Sequence, residues 1–445
     1  MGKYFGTDGF RGEAGVVLTA DHAYKIGRIL GYYFKGENGR PKGVIGKDTR
    51  RSSYMLEYAI AAGLAASGAD AHILHVITTP GVSYVTHTDG FDFGIMISAS
   101  HNPFGDNGIK LVDRRGEKID DAVIGEIEAM MDSEEPLPFA TGEDVGRIVD
   151  YYSGRNRYIG YLISLARHSF RELRIGLDCS NGGSWMIARS VFEALGAKVY
   201  CMGIEPDGVN INMGVGSTHP EVLAELVKEK GLDMGFAFDG DADRCIAVDE
   251  KGNIVNGDHI MYILAKGLKK RGELANNTVV TTVMSNLGLY QALDRAGIDY
   301  EQTKVGDRYV YENMQKNRHV LGGEQSGHVI LSKYATTGDG LLTAIMLTEE
   351  VIENKTTLAA LAREVRMLPQ VMKNVRVKSK AAVMSAPDIL RERDKIAEEL
   401  GTGGRILLRE SGTEPVIRVM VEAGDEATCE KYVDRLADMI AASGY

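Results

Sequence analysis

The sequence predicts an α/β protein of three or four domains, with a smaller last domain of a different kind. Three observations carry this. The chain has 445 residues, enough for three or four domains of ~100–150 residues each. Three successive stretches alternate short apolar strands with amphipathic helices, the pattern of strand–helix units on a largely parallel sheet. From about Pro369 the alternation gives way to three strands and one long helix, a small α+β unit.

The first stretch opens on a glycine-rich segment, Phe5-Gly-Thr-Asp-Gly-Phe-Arg-Gly12. Three glycines in eight residues predict a loop and not a strand interior. Thr19 then caps a helix with Ala23, Ile26, Leu30 and Tyr33 on one side. A short strand covers Gly43 to Gly46, and a helix runs from Tyr54 to Ala66, stopped at Ser67-Gly68. A strand spans His72 to Ile77, with Pro80-Gly81 as its break, and Phe93 to Ile97 is a buried strand. Asp121 to Ser133 is an acidic helix with a solvated face. Glu134 to Pro138 is extended, and Tyr151 to Leu165 is a helix that joins domains.

The second stretch starts at Leu173 with a strand, a Ser180-Asn-Gly-Gly183 loop, a helix to Leu195 and a strand from Lys198 to Met202. Pro220 begins a helix, with Thr218 as its cap, that ends near Gly231. Met234 to Phe238 is the next strand. The third stretch has a helix (His259 to Leu268), a strand (Thr278 to Val283) and a helix (Leu287 to Ala296). In the last part Val375 to Val377, Arg405 to Leu408 and Val416 to Val421 are strands, and Ala427 to Ala442 is a helix.

Composition narrows the function classes. Apolar residues make up 44% and charged residues 25%, as in ordinary globular proteins. The net charge of −11 argues against a nucleic-acid or membrane-surface partner, though local arginines and lysines still permit a small anion. Cys179, Cys201, Cys245 and Cys429 form no CxxC pair, which fits buried thiols in a reducing compartment. The N-terminal residues lack the apolar core of a signal peptide. No run reaches the ~18 apolar residues of a membrane span. A cytoplasmic location is therefore expected. A homodimer is left open.

Four loops carry chemistry. The strand ending at Ile97 empties into Ser98-Ala-Ser-His-Asn-Pro103, and Lys110 follows Ser100 by ten residues, within reach of a returning loop. Loops at strand C-terminal ends form the ligand crevice of open α/β sheets. The strand ending at Phe238 opens into Asp239-Gly-Asp-Ala-Asp-Arg244, whose alternate carboxylates can converge on one hard cation. A calcium EF-hand is rejected: Arg244 stands where the sharp turn needs glycine, and strand-like runs flank the segment. Gly322-Gly-Glu-Gln-Ser-Gly-His328 pairs a carboxylate, Glu324, with a hydroxyl, Ser326, suited to vicinal sugar hydroxyls. Arg409-Glu-Ser-Gly-Thr-Glu-Pro415, with Arg418 beyond, offers hydroxyl and backbone donors beside two arginines, an oxyanion cradle. Each loop also has a plain reading: a polar turn, an acidic turn, a structural histidine at 328, a hairpin with incidental arginines.

Together with Gly6-Thr-Asp-Gly-Phe-Arg11, these motifs, in this order, resemble those of the α-D-phosphohexomutase family over essentially the whole chain. The resemblance implies four domains around a central cleft: three similar mixed α/β domains, 1–155, 156–254 and 255–368, and an α+β domain, 369–445. It implies a phosphoserine nucleophile at Ser100, which also ligates one Mg²⁺ with Asp239, Asp241 and Asp243. It implies a general acid or base among Lys110, His101 and Arg11, with Lys110 ranked first and needing a lowered pKa to act as a base near neutrality. Substrate contacts are implied from Arg244, Asp307, Arg308, Glu324, Ser326, His328, Arg409, Ser411, Gly412, Thr413 and Arg418.

Val305-Gly-Asp-Arg-Tyr-Val310, the Glu324-Gln-Ser loop and Asn256-Gly-Asp-His-Ile-Met-Tyr262 favour the aminosugar branch over the phosphomannomutase/phosphoglucomutase branch. The implied reaction interconverts glucosamine 6-phosphate and 1-phosphate, with a trace of hexosamine or hexose 1,6-bisphosphate as activator. Ala242 departs from the glycine of many relatives, and strain is expected if its φ is positive. The alternatives are a hexose-phosphate mutase, a non-catalytic sugar-phosphate sensor and a metal-dependent phosphatase.

Overall fold

A computed structural model of the chain describes residues 2–6, 8–35, 39–411 and 415–445. These form two units, Met1–Met284 with Ile298–Arg363, and Ser285–Gly297 with Glu364–Tyr445.

In the first unit the chain begins with β1 (Phe10–Glu13), α1 (Ala20–Tyr33), β2 (Lys42–Lys47), α2 (Arg51–Ala66), β3 (Asp70–Val76) and α3 (Thr79–Thr88). It continues with β4 (Phe93–Ile97), β5 (Asp106–Asp113), α4 (Asp121–Asp132), β6 (Ile148–Asp150) and α5 (Tyr152–Leu165). The strands form one sheet in the order β1-β5-β4-β2-β3-β6. Strands β4, β2, β3 and β6 are parallel, whereas β5 runs antiparallel to both β4 and β1. All of β4 is buried, as expected of a central parallel strand covered on both faces. Helices α1 and α2 cover this sheet through Ile26, Ile29, Leu30, Leu56, Ile60 and Leu64, all with no exposure. Their backbones approach closely at Gly27, where a Cβ would stand 2.3 Å from the Ile60 carbonyl oxygen.

The second sheet comprises β7 (Arg174–Asp178), β8 (Lys198–Met202), β9 (Met234–Phe238), β10 (Cys245–Asp249) and β11 (Ile254–Val255), with helices α6 (Ile187–Ala194) and α7 (Pro220–Lys230) between strands. Its order is β11-β10-β9-β7-β8. Then come α8 (Gly257–Lys270), β12 (Thr278–Thr282), α9 (Leu287–Ala296), β13 (Asp299–Thr303), α10 (Asp307–Asn317), β14 (Leu321–Gly323), β15 (Val329–Leu331), α11 (Gly340–Glu353) and α12 (Leu358–Ala362). The third sheet has the order β13-β12-β14-β15.

The three sheets share one device. In each, a strand parallel to its inner neighbour turns through a loop into an antiparallel strand. The pairs are β4 and β5, β9 and β10, and β14 and β15. The serine, aspartate and glutamate loops occupy these three equivalent turns.

The second unit holds α9 and the antiparallel sheet β16-β18-β17, made of β16 (Gln370–Arg376), β17 (Arg405–Glu410) and β18 (Val416–Glu422), with α13 (Lys380–Ser385), α14 (Pro387–Leu400) and α15 (Glu426–Ala442). Ile417, Val419, Val433, Leu436 and Ile396 centre its core. The N-terminus of α9 is tied to this sheet by Glu422, whose carboxylate accepts from the Leu287 N–H at 2.8 Å.

Several local expectations change. Phe10–Glu13, expected as loop, is a strand even with Gly12 inside it, because it pairs with β5 and Phe10 inserts into the core, 3% exposed. The loop after Pro103 is shorter than expected; from Asp106 the chain is β5, which places Lys110 opposite Met96. Pro80 does not end an element but sits in the first turn of α3, where its missing N–H costs nothing and the Thr78 hydroxyl accepts from the Gly81 N–H at 3.1 Å. Thr218 is not the cap of α7; His219 holds that position without a side-chain bond. Among the described residues, no helix is long and apolar enough to cross a membrane.

Candidate active site

Ser100 lies in the β4–β5 turn with φ of 53°, a left-handed conformation disfavoured for serine. It is 1% exposed. Its hydroxyl donates to Asp239 Oδ2 at 2.5 Å and lies 3.3 Å from His101 Nδ1. A nucleophile from one sheet therefore meets a carboxylate from the next.

Asp239, Asp241 and Asp243 are buried, and one oxygen from each lies within 4.8 Å of the others. Ala242 between them has φ of 55°, so the strain expected of alanine there is present. Asp239 Oδ1 accepts from the Arg244 N–H at 3.2 Å. Asp241 Oδ2 accepts from the Thr79 hydroxyl at 2.5 Å and from Lys110 Nζ at 2.6 Å. Asp241 Oδ1 and Asp243 Oδ1 are buried and accept no hydrogen bond among the described residues. Buried carboxylate oxygens left without donors, three side chains converging, fit a hard divalent cation.

The charges divide accordingly. Burial, then the neighbouring Asp243 and Asp241, pushes the Asp239 carboxyl well above the usual range. Burial acts the same way on Asp243, but Lys110, His328 and Arg244 outweigh it and hold that carboxyl well below the usual range. Burial pulls the Lys110 ammonium down, yet Asp241 and Asp243 overcome it and raise its pKa. The lowered pKa that a basic Lys110 would need is thus absent. In this arrangement Lys110 is an ammonium that supplies positive charge beside the aspartates.

His101 is the opposite case. Burial, with Arg244 and Arg11 nearby, lowers its pKa to about 4. Arg244 Nη1 stands 3.1 Å from His101 Nδ1. A guanidinium can only donate, so Nδ1 is the acceptor of a neutral ring. Arg11, on β1 opposite Gly108, reaches Asp8 at 3.7 Å, and its buried Nε has no hydrogen bond among the described residues.

The sugar-loop residues fall into two groups. Glu324 is held at Oε1 by the Gly306 N–H at 3.0 Å, and burial raises its pKa. Ser326 is exposed, open to a ligand. His328 instead faces inward: its Nε2 accepts from the Gly338 N–H at 3.1 Å, leaving Nδ1 toward Asp243 at 3.7 Å. Asp307 is 3.6 Å from His328 and pairs with Lys118 at 2.7 Å. The Arg308 guanidinium is engaged by Asp121 and Glu312, so it stands apart from this group.

Sequence reasoning missed four residues here. Lys118 bridges Asp307 and, at 3.5 Å, Asp8. Thr79 supports Asp241, and Arg50 and Asn212 hold the serine loop by its carbonyls. Arg50 was within reach of the same rule that found Ser100, since it follows the C-terminal end of β2. Nothing in the sequence marked Asn212.

In the second unit, Arg409 and Arg418 are directly opposite one another on β17 and β18. Burial, then Arg418, lowers the Arg409 pKa. Like charges paired across strands are unfavourable, which makes this pair a candidate anion site. Ser411 is buried, and its carbonyl accepts from Lys380 Nζ at 2.7 Å. Gly412 and Thr413 lie outside the described residues.

The chain is similar to known proteins along its whole length. Phosphoglucomutase/phosphomannomutase profiles match in order: alpha/beta/alpha domain I at 2–137, domain II at 156–252, domain III at 256–367 and the C-terminal domain at 372–439. The chain is 59% identical to a phosphoglucosamine mutase of Lachnospira eligens, with 100% of both covered. It is 56% identical to one of Lachnoclostridium phytofermentans, covering 100% of this chain and 99% of that one. A solved phosphoglucomutase/phosphomannomutase family protein from Burkholderia thailandensis superposes with a TM-score of 0.82 at 27% identity, covering 99% of this chain and 98% of that one. Four matched domains, full-length relatives and a serine set against an aspartate cluster lead to one conclusion: the chain belongs to the α-D-phosphohexomutase family, isomerases that work by phosphoryl transfer.

Proposed function

We propose that this enzyme interconverts glucosamine 6-phosphate and glucosamine 1-phosphate, with Ser100 carrying the phosphoryl group. The observation that carries the reading is the Ser100 hydroxyl, 2.5 Å from Asp239 in a buried three-carboxylate cluster. The amino-sugar assignment rests on the full-length likeness to phosphoglucosamine mutases.

In the first half-reaction the 1-hydroxyl of glucosamine 6-phosphate attacks phosphorylated Ser100. The new O–P bond gives glucosamine 1,6-bisphosphate, the Ser100 Oγ–P bond breaks, and the sugar hydroxyl's proton is passed on to the freed serine oxygen. The bisphosphate turns over, Ser100 Oγ then attacks the 6-phosphoryl group, the sugar O6–P bond breaks, and the serine proton passes to the 6-oxygen. Glucosamine 1-phosphate leaves and the phosphoserine is restored, so a trace of 1,6-bisphosphate primes the unphosphorylated enzyme.

Asp239, Asp241 and Asp243, with the phosphate on Ser100, would hold one Mg²⁺, which when bound draws charge off the transferring phosphoryl group. Lys110 serves as the local positive charge of this site, and Arg11 and Arg244 add charge for the phosphoryl oxygens. Neutral His101 completes the ring of groups around Ser100. Glu324 and Ser326 grip the sugar hydroxyls, and His328 and Asp307 brace the aspartate and sugar loops from behind. Arg409, Arg418 and Ser411, with Gly412 and Thr413 beside it in sequence, hold the phosphate that is not reacting. In this division of labour, 1–155 carries the phosphoserine, 156–254 the cation, 255–368 the sugar and 369–445 the distal phosphate.

The test is kcat/KM of the purified enzyme for glucosamine, glucose and mannose phosphates. The proposal expects glucosamine phosphate to be preferred; a preference for mannose phosphate overturns it.

A further inference from the structure

The backbone of Ser100 is clamped from two sides by residues that follow strands of different sheets. Arg50, fully buried after β2, donates through Nη2 to the carbonyls of Ser100 at 3.2 Å and Asn102 at 2.5 Å. Asn212, from the segment between β8 and α7, donates through Nδ2 to the same two carbonyls, at 2.9 and 3.1 Å. Arg50 is itself fixed: its guanidinium pairs with Asp48, and its N–H donates to Asp48 Oδ1 at 2.9 Å. Asp48 also accepts from the Ser53 hydroxyl at 2.7 Å. The third wall is Gly240, where a Cβ would stand 2.5 Å from the Ser100 carbonyl oxygen. On the other side of the residue, the Ser100 N–H donates to Ser98 Oγ at 3.0 Å, which also lies 3.5 Å from Arg50 Nη1.

These bonds explain how a serine stays in the left-handed region with its hydroxyl aimed at Asp239. Left alone, a non-glycine residue with positive φ relaxes to the extended or helical region, which re-aims its side chain. Donors on the carbonyls of residues 100 and 102 pin the peptide planes that follow Ser100 and Asn102. An in-line transfer needs the serine oxygen in one place in both half-reactions, whether or not it carries phosphate.

We propose that Arg50 and Asn212 are positioning residues that act through the Ser100 and Asn102 carbonyls to set the geometry of phosphoryl transfer. The proposal rests on the reading of Ser100 as the phosphoryl carrier. A clamp of this kind governs the chemical step and leaves substrate grip alone. Asn212 also has positive φ, 58°, so Asn212→Gly removes the amide while suiting the backbone.

The experiment measures kcat, KM, thermal midpoint and Ser100 phosphorylation by glucose 1,6-bisphosphate in Asn212→Gly, Asn212→Asp, Arg50→Lys and Ser100→Ala. Asn212→Gly is expected to lose about tenfold or more in kcat and in phosphorylation rate, with KM within twofold and the thermal midpoint held. Asn212→Asp, which sets a carboxylate against two carbonyls, should lose more. Arg50→Lys, which keeps the charge but not the fork, should fall between native and Asn212→Asp. If Ser100→Ala is inactive while folded Asn212→Gly keeps kcat within twofold, or shifts only KM, the clamp is refuted. If Ser100→Ala stays active, the phosphoserine reading fails first.

Discussion

Lys110 Nζ lies 2.6 Å from Asp241 Oδ2 and 3.6 Å from Asp243 Oδ2. The lysine from the first sheet thereby balances the acidic loop of the second. Replacing it with methionine strips a buried carboxylate cluster of its nearest countercharge, a loss of about 3–5 kcal/mol for a buried pair broken on one side. Lys110→Met should show that loss in EDTA and much less of it in saturating Mg²⁺, where a bound cation takes over the balance. Denaturant unfolding in the two buffers checks this; an equal loss in both speaks against a cation at the aspartates. Turnover should also fall by ~10²-fold or more.

His101 gives a pH dependence with a fixed sign. Its folded pKa is lowered to about 4 from the ordinary 6.5, so between these values the unfolded chain binds more protons. Stability is then complete above about pH 6.5 and declines as pH falls toward 4, by at most about 3 kcal/mol from this group. Urea unfolding at pH 7 and pH 4.5 should show a smaller decline for His101→Gln than for the native enzyme. Equal declines would mean that His101 does not titrate in this window.

The paired arginines predict an anion-dependent second unit. Without anions Arg409→Gln should be neutral or slightly stabilising, since it removes a like-charge pair. With inorganic phosphate, the native enzyme should gain stability, about 2.7 kcal/mol at a hundred times the Kd, and the variant should gain far less. Thermal unfolding across a phosphate series reads both. Equal phosphate gains in the two proteins would contradict an anion site at Arg409.

Ala242 offers a strain test inside the aspartate loop. Its φ of 55° costs alanine about 1 kcal/mol, while glycine in its place adds about 0.4–1 kcal/mol of unfolded-state entropy. Ala242→Gly should therefore change stability by less than about 1 kcal/mol, and Ala242→Val should destabilise clearly. Both are read by denaturant midpoint, with Mg²⁺ affinity as a control on the loop.

What was legible in the sequence was what periodicity and strand ends encode. The buried run Phe93–Ile97 and the run Met234–Phe238 are strands as read, and the loops after them do meet. The errors came from glycine and proline, whose local signals are ambiguous. Glycines around Phe10 signalled a loop, yet pairing with β5 and burial of Phe10 made a strand. Pro80 reads equally as a stop and as a first helical turn, and the Thr78 cap decided it. Electrostatics was illegible too. Ten residues of separation placed Lys110 near Ser100, but only the fold shows it on two aspartates, charged and not basic. Asn212 and Arg50 act through backbone carbonyls, a role that no motif spacing announces.

The most direct test is phosphoryl flow through position 100. Purified native enzyme and Ser100→Ala are incubated with Mg²⁺, glucosamine 6-phosphate and a trace of glucose 1,6-bisphosphate, then followed by phosphopeptide mapping and isomer conversion. The account predicts phosphate on Ser100 in the native chain, none in the variant, and conversion slowed by ~10³-fold or more. Conversion by Ser100→Ala at the native rate would contradict it.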